Sequence, residues 1–176
     1  MTTRQELNQA GAAQRAEIFG TGGAALANTA FGFDDLMGEL VYGNIWTRPG
    51  LSPQDRMAVT LAVLCSLQNQ GQLRRHVAAA LNLGLTPRAI AEILIQIGIY
   101  RGFAASESAL EVALAVFAEK GITLEIDPPR TDPLESLMDR GRALQGALHA
   151  ERRNDGHAAP DNPVTGSIYP LVVQYC

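Results

Sequence analysis

Along most of the first 120 residues apolar side chains recur every three or four positions, the period of a helix with one buried face. Ile90, Ile93, Leu94 and Ile97 make one such stripe, from which Ile99 departs, so much of that helix is expected to be buried; Ala109, Leu110, Val112, Ala113, Val116 and Phe117 make another. Punctuation divides the stripes. Ser52-Pro53-Gln54-Asp55 sets a serine cap before a proline at the first helical position, Thr86-Pro87 repeats the signal, and Asp132-Pro133-Leu134-Glu135 repeats it with an acid three residues after the cap. Gly84 and Gly121 stand where a helix would stop. The spacing predicts helices near 3–18, 31–46, 53–68, 70–83, 87–101, 104–120 and 133–150, and no alternating run of strand length is present. The fold class expected is all-α, a helical bundle.

After Gly121 the pattern loosens. Residues 122–132 are charged and proline-containing and read as a linker, and 151–166 are rich in Gly, Pro, Asn and Asp and read as a loop. The chain turns apolar again from Ser167 to Cys176. The expected organisation is a helical domain over 1–121, followed by a linker, an extra helix and an apolar tail over 122–176. A faint internal echo links the two parts. Leu7 to Gln14 is roughly matched by Leu137 to Leu144, and Met37 to Tyr42 is matched by Pro170 to Tyr175. Either two amphipathic helices coincide, or 122–176 opens a truncated second repeat.

Composition narrows the chemistry. At 47% hydrophobic over 176 residues there is enough apolar material for one ordinary core. A net charge of −4 with no basic stripe argues against nucleic acid as a partner. Met1 to Ala10 is too polar for a secretory leader, and the apolar run at 57–67 is too short to span a bilayer, so no membrane partner and a cytoplasmic location are expected. Cys65 and Cys176 are far apart, form no C-x-x-C, and suggest neither a disulfide framework nor a zinc site; Cys65 sits in an apolar run and reads as a core thiol. Of the three histidines, His149 and His157 lie in polar surroundings and read as surface residues, which leaves His76 as the proton carrier of interest. No three ligands converge in sequence, so no metal is expected.

Several separated motifs occur in order: Tyr42-Gly43, Trp46-Thr47-Arg48-Pro49-Gly50-Leu51, Arg56 with Val59-Thr60-Leu61-Ala62, Leu73-Arg74-x-His76, Ala79 to Asn82 with Gly84 and Thr86, Glu92-Ile93-Leu94, and Tyr100-x-Gly102-Phe103. Together, over about residues 34 to 119, they resemble the carboxymuconolactone decarboxylase family. The resemblance implies an all-helical, alkylhydroperoxidase D-like scaffold and a homo-oligomer, trimer or hexamer. The peroxidase branch needs two cysteines, a histidine four residues after the second and an upstream glutamate. The corresponding positions here are Asn69, Gln72, His76 and Met57, and a thiol relay has no thiolate to run on. The chain therefore resembles the decarboxylase branch, which implies a cofactor-independent lyase acting on a small carboxylated lactone in aromatic-compound degradation. That branch carries acids just before Leu-Arg-x-His; here the segment reads Asn69-Gln70-Gly71-Gln72, and Gln72 neither takes a proton nor carries charge.

On this reading His76 and Gln72 are the catalytic pair, four residues apart on one helical face, with Gln72 either holding the imidazole or touching the substrate. Arg48, Arg74, Trp46 and Tyr100 are candidate substrate-binding residues. Arg48 either binds a carboxylate or caps the preceding helix; Trp46 and Tyr100 either line a pocket or fill the core; one of Arg74 and Arg75 faces solvent or a subunit contact. Arg56 is expected to pair with Glu92. Two rivals remain: a His76-dependent isomerase or hydrolase on the same scaffold, and a non-catalytic ligand-binding or partner subunit.

Overall fold

The computed structural model describes residues 3–20, 32–125, 127–128 and 131–149, and beyond them 159, 161–163, 165 and 168–175. The described residues form helices and their connections, with no strand among them. The helices are α1 (Arg4–Phe19), α2 (Phe33–Leu36), which runs on as a π-helical segment (Met37–Ile45), α3 (Pro53–Ser66), α4 (Gln70–Asn82), α5 (Pro87–Arg101), α6 (Phe103–Glu119), α7 (Leu134–His149) and α8 (Tyr169–Tyr175). The all-α expectation holds.

The caps explain the boundaries. Ser52 Oγ accepts from Asp55 N at 3.1 Å, Thr86 Oγ1 from Ala89 N at 3.1 Å and Asn69 Oδ1 from Gln72 N at 3.2 Å, so each fixes the first turn of its helix. Thr3 and Glu6 close a reciprocal capping box on α1. Gly84 and Gly121 adopt the left-handed conformation, φ 86° and 68°, at the helix ends.

Two compact units divide the chain, Met1–Leu124 and Glu125–Cys176. In the first, α3 packs on α4 and α5, α6 on α4 and α5, and α1 lies across α4 and the π segment. Met57, Leu61, Cys65, Leu73, Val77, Ile90, Leu94 and Phe117 form its fully buried centre, with Ile18 from α1. Side chains of this kind stabilise by about 1.5–3 kcal/mol each relative to exposure. On α5, Ile90 and Leu94 are buried whereas Ile95 is exposed, so the helix buries one stripe rather than its whole surface.

The contact of α1 with the π segment is made by main chain. A Cβ on Gly11 would lie 2.1 Å from Gly38 O, and one on Gly43 would lie 2.2 Å from Leu7 O. Only glycine lets the two helices approach this closely. The π winding, with Trp46 N bonded to Val41 O across five residues, turns Gly38, Glu39, Tyr42 and Gly43 inward. Glu39, buried in this contact, is held by Arg4 Nε and Nη2 at 2.9 and 3.0 Å and by Asn8 Nδ2 at 2.9 Å. In the second unit α7 packs on α8, and a Cβ on Gly141 would lie 1.8 Å from Pro170 O. Each helix pair thus has a glycine on its first member, Gly11 or Gly141, against the main chain of its second. Most of 151–166 and the side chain of His149 lie outside the described residues, as does His157.

No described helix is long and apolar enough to cross a membrane. Cys65 is fully buried as expected, its Sγ 3.8 Å from Ala105 O, and burial pushes the thiol up.

Gly43→Ala is expected to destabilise the first unit by about 3 kcal/mol or more, because backbone must move to admit the methyl group. Gly71→Ala on α4, where a Cβ meets nothing within 4 Å, is expected to be neutral or to stabilise by up to about 1 kcal/mol. Denaturant unfolding of the two variants checks the contrast.

Candidate active site

His76 projects from the second turn of α4. Its Nδ1 lies 2.8 Å from the carbonyl oxygen of Gln72. A carbonyl only accepts, so Nδ1 carries the proton and donates, and Nε2 is the nitrogen left for proton exchange. Gln72 thus meets His76 through its main-chain carbonyl rather than through the side-chain amide.

Phe19, the last residue of α1, covers the imidazole edge-on, with centroids 5.4 Å apart and planes at 82°. Phe19 meets Tyr42 of the π segment in the same way at 5.9 Å. Two guanidiniums flank these rings. Arg75 Cζ lies 5.7 Å from the Phe19 centroid, and Arg15 Cζ lies 5.2 Å from that of Tyr42. Arg15 also donates from Nη1 to Asp34 at 2.8 Å, tying α1 to α2. One cluster thus joins α1, α2, the π segment and α4.

Its electrostatics favour a neutral histidine. Burial lowers the His76 pKa below its ordinary value; the bond to Gln72 opposes this, and the positive charge of Arg75 adds to the lowering. Tyr42 moves up, chiefly by burial, against the attraction of Arg15 and Arg75 and with help from Asp34. Its phenol keeps its proton and remains a donor.

The other sequence candidates are placed differently. Arg74 is exposed and pairs with Glu119 on α6, so the arginine that turns inward is its neighbour Arg75. Arg48 is exposed; its carbonyl accepts from Arg56 Nη2 at 2.8 Å, and among the described residues its guanidinium makes no bond. Trp46 is half-buried against the core, and Tyr100 is 73% exposed. The expected Arg56–Glu92 pair does not form: Glu92 bonds Arg88 at 2.8 Å, four residues away on the same helix, where the partner is always within reach. Sequence reasoning missed Arg15, Phe19, Asp34 and Tyr42 as site residues. The signal available was an aromatic and an arginine four residues apart on the face of α1 that also carries Gly11, Ile18 and thus the packing surface.

A wide, open hollow of about 550 Å³, lined by Arg4, Asn8, Asp35 and Glu39 among others, does not include His76. Its buried carboxylate is already satisfied, which marks a structural network. Among the described residues no three His, Cys, Asp or Glu side chains are grouped to hold a metal ion.

Phe19→Ala is expected to open His76 to water and raise its pKa back toward 6.5, since burial is the leading cause of its depression. The imidazole proton shifts, followed by NMR across pH 4 to 8, read this directly; an unchanged midpoint would contradict the assignment.

The profile of the carboxymuconolactone decarboxylase family matches residues 32–115. The chain is similar to the 4-carboxymuconolactone decarboxylase of Acinetobacter baylyi, 36% identical over 93 residues, which is 53% of this chain and 69% of that protein. It is 36% identical over 85 residues to an uncharacterized 15.0 kDa protein of Paracoccus denitrificans, covering 47% of this chain and 63% of that one. It is 31% identical over 68 residues to the nitrosuccinic acid decarboxylase of Metarhizium robertsii, covering 39% of this chain and 48% of that one. With His76 and the motifs around it inside the matched segment, the chain belongs to the carboxymuconolactone decarboxylase family.

Proposed function

We propose that this protein is a cofactor-independent carboxy-lyase acting on a small carboxylated lactone, with 4-carboxymuconolactone as the first substrate to test. The observation that carries the reading is His76, its tautomer fixed by the Gln72 carbonyl, covered by Phe19 and set beside Arg75. Family membership and two relatives named as decarboxylases supply the reaction class.

In this reaction the ring-carbon carboxylate leaves as carbon dioxide. The electron pair of the broken C–C bond spreads into the lactone carbonyl, giving an enolate, and carbon then takes a proton. Arg75 and the Tyr42 hydroxyl supply donors for the enolate oxygen; one aimed donor is worth about 3 kcal/mol. His76 delivers the proton from Nε2 and regains it from water. The free enzyme holds His76 mainly neutral at pH 7, so binding of an anionic substrate is accompanied by proton uptake on the imidazole. Phe19 limits water around that proton. Gln72 is an uncharged neighbour in place of an acid and does not compete for it.

A second reading is favoured by the same depressed pKa: a neutral imidazole accepts protons, as an isomerase requires. The pH profile separates the two. If His76 is the acid, kcat/KM falls as pH rises through the His76 pKa, below 6.5; if it is the base, kcat/KM falls as pH drops through it. His76→Gln is expected to reduce turnover of 4-carboxymuconolactone at least about 100-fold with thermal unfolding retained. Substrate loss by the wild-type protein that persists undiminished in the variant would sink the lyase assignment to this site.

We propose also that the enzyme is a homo-oligomer. Val59 and Val63 on α3 and Leu67 at its C-cap form an exposed apolar stripe at four-residue spacing, 58%, 49% and 70% accessible. Val63→Glu is expected to reduce the mass measured by light scattering, whereas a wild-type monomer would refute the proposal.

A further inference from the structure

Three buried polar atoms among the described residues have no hydrogen-bond partner: Arg15 Nε, Arg56 Nε and Gln70 Oε1. Arg56 is spent on the carbonyl of Arg48, away from the aromatic cluster. Arg15 is the one that lies in it. Its side chain is 12% exposed, its plane sits by the Tyr42 ring, and Asp34 takes only Nη1. A guanidinium binds carboxylates best through two parallel N–H groups, and the edge formed by Nε and Nη2 is such a fork. Arg4 uses that edge on Glu39, at 2.9 and 3.0 Å. On Arg15 the same edge has no partner among the described residues. A desolvated donor left unmatched opposes folding, and a ligand carboxylate would satisfy it.

From this we infer a carboxylate-binding subsite built by Arg15 on α1, which holds the substrate carboxylate that is not lost. The inference rests on the proposed lyase reading and adds what that reading leaves open: how a dicarboxylate is oriented. Asp34 fixes the guanidinium from one end and Tyr42 from its face, so the free fork is held without needing the substrate to order it. Two ring contacts, Tyr42 on Phe19 and Phe19 on His76, connect this anchor to the proton carrier. Anchoring one carboxylate at Arg15 leaves the other end of a small dianion toward His76 and Arg75. Both Arg15 and Phe19 precede the segment that matches the family profile, residues 32–115.

The test compares wild type, Arg15→Gln and Arg15→Lys on 4-carboxymuconolactone and on its acetate-arm methyl ester, with thermal unfolding as the control for folding. Arg15→Lys keeps a charge for Asp34 while removing the fork, and carries the test if the glutamine variant does not fold. The expected result is a rise in KM for the dianion of about tenfold to a hundredfold, larger than the change in kcat, with a much smaller effect on the ester. Equal losses on both substrates, or an unchanged KM for the dianion, would overturn the subsite. Calorimetric titration with succinate provides a readout free of turnover: binding weakened in the variants supports the subsite, and binding unaltered by them, or none to the wild type, counts against it. Succinate binding that depends on Arg15 in a protein without decarboxylase activity would refute the lyase reading and leave the anchor standing.

Discussion

The main-chain contact between α1 and the π segment is the constraint on which the site depends. Gly11 and Gly43 bring main chain against main chain at the crossing, so α1 lies against its neighbour at a distance that a Cβ at either position would forbid. That approach brings the end of α1 over α4, where Phe19 covers His76 and Ile18 enters the core. The π winding then turns Tyr42 toward the same point. Without this crossing, α4 would still present a histidine, but on an open helix face with an ordinary pKa.

The polar groups around the crossing divide into two kinds. Glu39 is buried and fully matched by Arg4 and Asn8, so its contribution is to fix the helix pair in register; removing one partner would strand a buried charge. Arg15, Tyr42, Arg75 and His76 form a cluster with unspent donors and an uncommitted ring nitrogen. Stability alone would favour matching them, as Glu39 is matched. Their incomplete matching is what supports the proposed ligand site.

Most of the architecture was legible in the sequence because local chemistry sets helix boundaries. Ser52-Pro53, Thr86-Pro87, Gly84 and Gly121 act within one turn of where they stand, and helix ends fall beside them. The histidine was legible too, through its rarity and through the motif that contains it. The remainder of the site was not, because it is tertiary. Nothing local to Phe19 or Arg15 says that α1 will cross at Gly11, and the π winding that carries Tyr42 inward breaks the 3.6-residue period used to assign faces. Arg74 and Arg75 illustrate the limit at single-residue scale: adjacent arginines differ by one helical step of about 100°, enough to send one to Glu119 and the other to Phe19.

The imidazole is tethered to a main-chain oxygen, and that separates two properties that proteins often couple. Where a side chain orients a histidine, changing that side chain alters both the ring's pose and the charge beside it. Here the residue at position 72 contributes its carbonyl whatever its side chain, so the pose of His76 is indifferent to the identity of that residue. Position 72 can therefore carry an acid or an amide without re-aiming the ring: the charge next to it is adjustable while its aim comes from the helix itself.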